Sequence, residues 1–126
     1  MDTTTEDYRA AIAYALMAQP KEWRRAILQT VAVAHAEEAR VAAANAPRTK
    51  KAARALADDC ALAIGFCMHG ARDWGRYANE NPAKAREARE HAATFARKAA
   101  RNFARWSEAQ AVLGAANTAR YWRKAA

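Results

Sequence analysis

The residues in this chain that could bind a metal ion or do nucleophilic or acid–base chemistry are two cysteines, three histidines and 13 acidic groups. Spacing decides what they can do. Cys60 and Cys67 lie seven residues apart, which on one helix means the same face but two turns, about 10 Å along the axis. That exceeds the roughly 7 Å between Cα atoms that a disulfide can span, so both read as reduced core thiols. His69 stands about 200° around the helix from Cys67, and the two cannot share an ion. Di-iron bundles draw on Glu-x-x-His from two helices. Here Glu87 and His91 are four apart and His35 precedes Glu38, so neither pair matches. A metal centre would have to be assembled across helices from His35, Glu38, Glu87 and His91, and surface pairing accounts for these residues more simply. The expectation is no metal and no cofactor.

Arg86 and His91 fit an Arg-x4-His spacing that resembles the short motif of helical HEPN-type ribonucleases. With 15 arginines and three histidines in 126 residues, such a spacing is expected by chance. Glu87 also departs from the small polar residue usual after that arginine. No Gly-rich phosphate loop, nucleophile elbow or acid pair with a reason for a raised pKa is present. The sequence therefore predicts a protein that is not an enzyme, with no catalytic residues.

The cations are more informative. The net charge is +8, but residues 1 to 46 carry 5 basic and 6 acidic groups, residues 47 to 81 carry 6 and 4, and residues 82 to 126 carry 10 and 3. A basic pole favours polyanions or an acidic protein surface. Between 84 and 91, Lys84, Arg86 and Arg89 alternate with Glu87 and Glu90, and the Arg86–Glu90 spacing suits a helical ion pair. From 97 to 105, Arg97, Lys98, Arg101 and Arg105 have no acid among them, and three of them form an i, i+4, i+8 column. Like charges at that spacing cost a few tenths of a kcal/mol per pair. Only Arg105 has an acid within helical reach, Glu108. The column needs carboxylates from another helix or an external anion. Glu38, which falls near the inward seam of its own helix, is expected to pair with an arginine of the third or fourth helix, because a buried carboxylate is costly alone.

The elements that position these groups are helices. Alanine fills 38 positions against 4 glycines and 3 prolines, a composition helical almost throughout. A first helix is predicted over 5 to 18, capped by Thr3 or Thr4 with Thr3 and Glu6 at capping-box spacing; Tyr8, Ala11, Ile12, Ala15 and Leu16 form its buried stripe. Pro20 starts a second helix reaching about 44, with Trp23, Ile27, Leu28, Val31, Ala34 and Val41 inward. Asn-Ala-Pro-Arg-Thr at 45 to 49 is a break. The third helix, about 49 to 79, carries a heptad seam of Ala53, Cys60, Cys67 and Trp74 beside Leu56, Ala63, Gly70 and Tyr77. An unbroken helix of that length spans about 48 Å, so a kink is expected between Gly65 and Gly75. Asn81 and Pro82 mark the start of the fourth helix. Its core arc holds Ala85, Ala88, Ala92, Phe95, Ala96, Ala99, Phe103, Trp106 and Leu113. An interruption at Gly114 would leave a short final helix bearing Arg120, Tyr121, Trp122, Arg123 and Lys124.

The fold class expected is all-α: one domain over 1–126, a helical bundle of four to five mostly antiparallel helices with Ala-rich packing. No uncharged run approaches the roughly 20 residues needed to span a bilayer, and the acidic N-terminus lacks the pattern of a signal peptide, so no membrane contact and a cytoplasmic location are expected. The function expected is a non-catalytic binding protein docking through a basic C-terminal face, formed by Arg97, Lys98, Arg101 and Arg105 with the 120–124 cluster, on nucleic acid or a nucleoprotein complex. The alternative is a small inhibitor or adaptor, of the phage anti-CRISPR or immunity-protein kind, targeting an acidic protein surface. An Ala-rich seam with few aromatics also leaves a homodimer open. If the column is a docking face, reversing Arg101 and Arg105 to Glu abolishes partner binding and leaves helicity intact; lost folding marks an internal salt-bridge network instead.

Overall fold

A computed structural model describes the backbone of residues 3 to 125 and the side chains of residues 3 to 115. It is an all-α bundle of four helices: α1 (Thr4–Met17), α2 (Lys21–Ala44), α3 (Lys50–Glu80) and α4 (Ala85–Ala125), with a 3-10 turn at Pro82–Lys84 leading into α4. No strand occurs among the described residues, and none of their helices is long and apolar enough to cross a membrane.

The fourth helix is the spine. α1, α2 and α3 all pack on it, α1 also lies on α3, and α2 and α3 do not touch. Alanine makes this possible: Ala92, Ala93, Ala96, Ala99 and Ala100 are fully buried along the spine, facing Ala11, Ala15 and Ala71 from the neighbours. A methyl group lets helix axes approach closely while favouring helix at every position. It also buries little apolar area. Ile64 is the only large side chain buried completely among the described residues.

Polar groups fix the corners. Arg89 Nε donates to the carbonyl oxygen of Ala18 at the end of α1 (3.0 Å), while Gln19 Nε2 donates to the carbonyl oxygen of Arg89 (3.0 Å). These reciprocal bonds tie the α1–α2 corner to α4 and satisfy a helix-terminal carbonyl. Gln19 is accordingly buried. Asn45 and Asn81 act alike at the ends of α2 and α3, each turning its side-chain amide back to the carbonyl four residues earlier, Val41 and Tyr77. Thr49 caps α3 by accepting the Ala52 N–H at 3.1 Å.

Several expectations are corrected. Neither long helix breaks: α3 runs through Gly65, Gly70 and Gly75, and α4 runs through Gly114. The length objection assumed a compact body, whereas α3 and α4 support each other side by side in an elongated one. The Thr3 side chain makes no capping bond, so the Thr3–Glu6 capping box does not form. Asn81 serves both ends: it closes α3 with its side-chain amide and precedes Pro82 as the N-cap of the 3-10 turn that leads into α4, without a side-chain capping bond there. Pro20 sits just before α2 as its N-cap. Trp23, Leu28 and Val41 are exposed, because α2 presents one narrow strip, centred on Val31 and Ala34, to α4. On α3 the second line of the seam lies one residue later than expected: Ala57, Ile64, Ala71 and Ala78 are buried while Tyr77 is exposed.

Ala92 is enclosed in the main core cluster, so Ala92→Leu forces extra carbon atoms into a close-packed seam and should lower unfolding free energy by about 1–3 kcal/mol. Urea denaturation checks this; an unchanged midpoint would show that the seam has slack.

Candidate interaction surfaces

The four cations of 97 to 105 have three different fates. Arg97 Nη2 donates to Glu90 Oε1 and Thr94 Oγ1, both at 3.0 Å. Glu90 is therefore taken by Arg97 rather than by Arg86, overturning the expected i, i+4 pair. Arg105 Nε donates to Glu38 Oε1 at 2.6 Å, joining α4 to α2. Glu38 does find an arginine of the fourth helix, and the pair consumes one member of the column. Lys98 stands over the Phe95 ring, 5.5 Å from its centroid. Arg101 is exposed and has no ion-pair partner among the described residues. Two of the three arginines in the column, Arg97 and Arg105, are thus paired within the molecule. The side chains of Arg120, Tyr121, Trp122, Arg123 and Lys124 lie outside the described residues.

A second basic group was not singled out by its spacing. Lys50, Lys51 and Arg54 line a surface hollow of about 470 Å³ at the start of α3, with Ala55 and a single acid, Asp58. Arg48 precedes them, and the first turn of α3 has no acidic residue. The signal was available as four cations in seven residues, but their distance from the 97–105 column hid it. Cations at a helix N-terminus oppose the macrodipole, so they are not there for the helix's benefit.

An apolar groove of about 630 Å³ lies between α3 and α4, lined in part by Phe66, Gly70, Asp73, Trp74, Tyr77 and Lys84. Phe95 forms part of its floor by crossing α3 at Gly70, where an added Cβ would come 2.8 Å from the ring. Phe66 meets Phe95 edge-on (centroids 6.0 Å apart), Tyr77 meets Trp74 edge-on, and His91 stacks on Trp74. Beside the groove, Leu62 is 77% exposed and Phe66 is 71% exposed. Both fall off the α3 seam by helical spacing, four residues apart, a pattern that could have marked them.

The residues weighed for chemistry are dispersed. His35 stacks with Tyr8 and lies tilted against Phe103, whereas His91 belongs to Trp74 and lies 3.9 Å from Glu87. Twelve residues of α4 separate His91 from Phe103, about 18 Å along the axis. No group of three or more metal-ligating side chains comes together among the described residues. Cys60 and Cys67 are unbridged and buried. Burial pushes both thiols upward in pKa; Arg105 opposes this at Cys60 and Lys98 at Cys67.

A raised pKa lowers the thiolate fraction at any given pH, and thiolate is the reactive form. Both cysteines should therefore react with a thiol-specific reagent more slowly in the native protein than in denaturant at neutral pH, where two equivalents are released; equal rates would contradict their burial. Compared with known proteins, the chain matches no family model, no curated protein and no solved structure.

Proposed function

We propose that this protein is a non-catalytic binding module whose basic surface docks on nucleic acid, alone or within a nucleoprotein complex. The observation that carries this reading is a set of exposed cations with no carboxylate partner among the described residues: Arg101 on α4, and Arg48, Lys51 and Arg54 around the start of α3 with half-buried Lys50 beside them. The structure's own acids leave these groups unneutralised, and a polyanion would neutralise them while releasing counterions. α3 and α4 run antiparallel, Cys67 beside Ala99 and Ala78 beside Ala88. Extended at one residue per residue, that register sets Lys50 level with about residue 115. The segment of α4 bearing Arg120, Arg123 and Lys124 thus follows the turn level with the basic start of α3. Such a surface holds phosphates through charge and carries no base-reading signature.

Arg105 is tied to Glu38, so reversing it confounds folding with binding. The clean variants are Arg101→Glu and the triple Lys50→Glu, Lys51→Glu, Arg54→Glu. For a mixed-sequence oligonucleotide followed by fluorescence anisotropy, four phosphate contacts give a log K against log salt slope near −3.6. The triple variant should flatten that slope by about 2 to 3 and leave the helical circular dichroism unchanged. Salt-independent or undetectable binding would overturn the reading. Partners retained after nuclease treatment of a pull-down would instead favour the inhibitor or adaptor docking on an acidic protein, for which the exposed aromatic groove would be the contact.

A further inference from the structure

The α3–α4 groove and the residues beside it are complementary to themselves. On α3, Asp59, Phe66 and Asp73 recur every seven residues and so share one face, with Leu62, Gly70 and Tyr77 alongside. Two of these, Leu62 and Phe66, are exposed apolar side chains. One helical stretch further on, Gly70, Trp74 and Tyr77 help to line the hollow that α3 makes with α4, and Lys84 lines its far end. Protrusion and hollow lie on the same side of the same helix, which is the arrangement an isologous two-fold contact requires.

We infer that two copies of this chain associate through antiparallel α3 helices, each copy seating Leu62 and Phe66 in the α3–α4 groove of the other. A two-fold axis passing between His69 and Gly70 sets Leu62 of one copy level with Tyr77 of the second, and Phe66 level with Asp73, next to Trp74. Gly70 lies at the axis, where the Phe95 ring of the same copy fills the space that a Cβ would take and forms the floor on which the second copy rests. The charges follow the same axis. Within each copy the two helices run antiparallel, so from Cys67 beside Ala99 the level of Phe66 on α3 is that of Ala100 on α4, about 3 Å along the axis from Lys98, and from Ala78 beside Ala85 and Ala88 the level of Glu80 is that of Lys84 and Ala85. The axis therefore brings the second copy's Asp73, which pairs with Arg72 in its own copy, within about one helical turn of Lys98, and its Asp59 level with Lys84. Lys84 lines the groove and Lys98 sits over the Phe95 ring that floors it, so both cations stand on the contacted side. Asp59 and Asp73 of each α3 thus lie toward Lys84 and Lys98 of the other copy's α4, with Glu87 also lining the groove between those two lysines. Arg101 and the start of α3 are not used by this contact, so dimerisation is independent of the proposed nucleic-acid surface.

Sedimentation equilibrium of the full chain over a micromolar to submillimolar series, without nucleic acid, tests this. The weight-average mass should climb from 13.9 kDa toward twice that value. Phe66→Glu and, separately, Leu62→Glu should hold it at the monomer value with unchanged helical circular dichroism; both side chains are exposed, so neither substitution loads the monomer core. Asp73→Lys should weaken association about tenfold or more, and adding Lys98→Glu to it should restore at least half of the loss on a logarithmic scale. A monomer throughout the series, or a dimer indifferent to both apolar substitutions, would overturn the inference. A dimer lost on Phe66→Glu but not rescued in the charge-swapped pair would overturn this two-fold axis.

Discussion

Everything in this bundle depends on the alanine contact along α4. A spine whose buried positions are mostly methyl groups can accept three neighbours, since none of them must make room for a large side chain. The same choice limits how much apolar surface the contact removes from water, because each methyl contributes a fraction of what a leucine or phenylalanine would. Large side chains are displaced to the edges of the seams, where Tyr8, Phe95, Phe103 and Trp106 lie half-buried. Beyond those edges, Trp23, Leu28, Leu62 and Phe66 reach solvent. Exposed apolar groups here are thus a consequence of how the core is built.

Polar anchoring offsets part of that thin core. The Gln19–Arg89 exchange ties the α1–α2 corner to α4 through two hydrogen bonds that span the fold. The Arg105–Glu38 pair does the same at the other end of α2. Glu38 is the less exposed partner, so its carboxylate needs the guanidinium more than the reverse. An ion pair this open to solvent on one side contributes at most about 1 kcal/mol. Its larger effect is on position: it fixes where α2 lies on a spine that offers it only a strip of alanines. Basic residues in this chain therefore serve two ends. Some are braces, and the remainder give the molecule its outward positive field.

The fold class and the chain's division into helices were legible from composition and from the breaks at Pro20, at Pro47 and at Asn81–Pro82. The arc of α4 was legible as well, since Ala85, Ala88, Ala92, Ala96 and Ala99 are all buried where a 3.6-residue period puts them. The inward face of α2 was not. Its apolar residues spread widely around the helix, and nothing local says that only one neighbour would cover it. The continuity of α3 was misjudged because the length argument assumed a compact body; its glycines, which cost a helix about 1 kcal/mol each, are accommodated by close packing, since Gly70 admits the Phe95 ring and Gly75 approaches Ala18. For the basic column, helical spacing identified the cations without local partners, but only the tertiary fold could show that α2 supplies Glu38 to Arg105. The groove went unread for a similar reason: Leu62 and Phe66 fall off the α3 seam by helical spacing, but only the tertiary fold shows the hollow that α3 and α4 form beside them.

A thin alanine core leaves Leu62 and Phe66 exposed, and the inferred association has a second copy cover them. Thermal unfolding as a function of protein concentration, followed by circular dichroism at fixed salt, tests it most directly, because association with the folded state alone raises the midpoint by mass action. The account predicts a midpoint that climbs steadily with concentration. A midpoint independent of concentration across the range would contradict it.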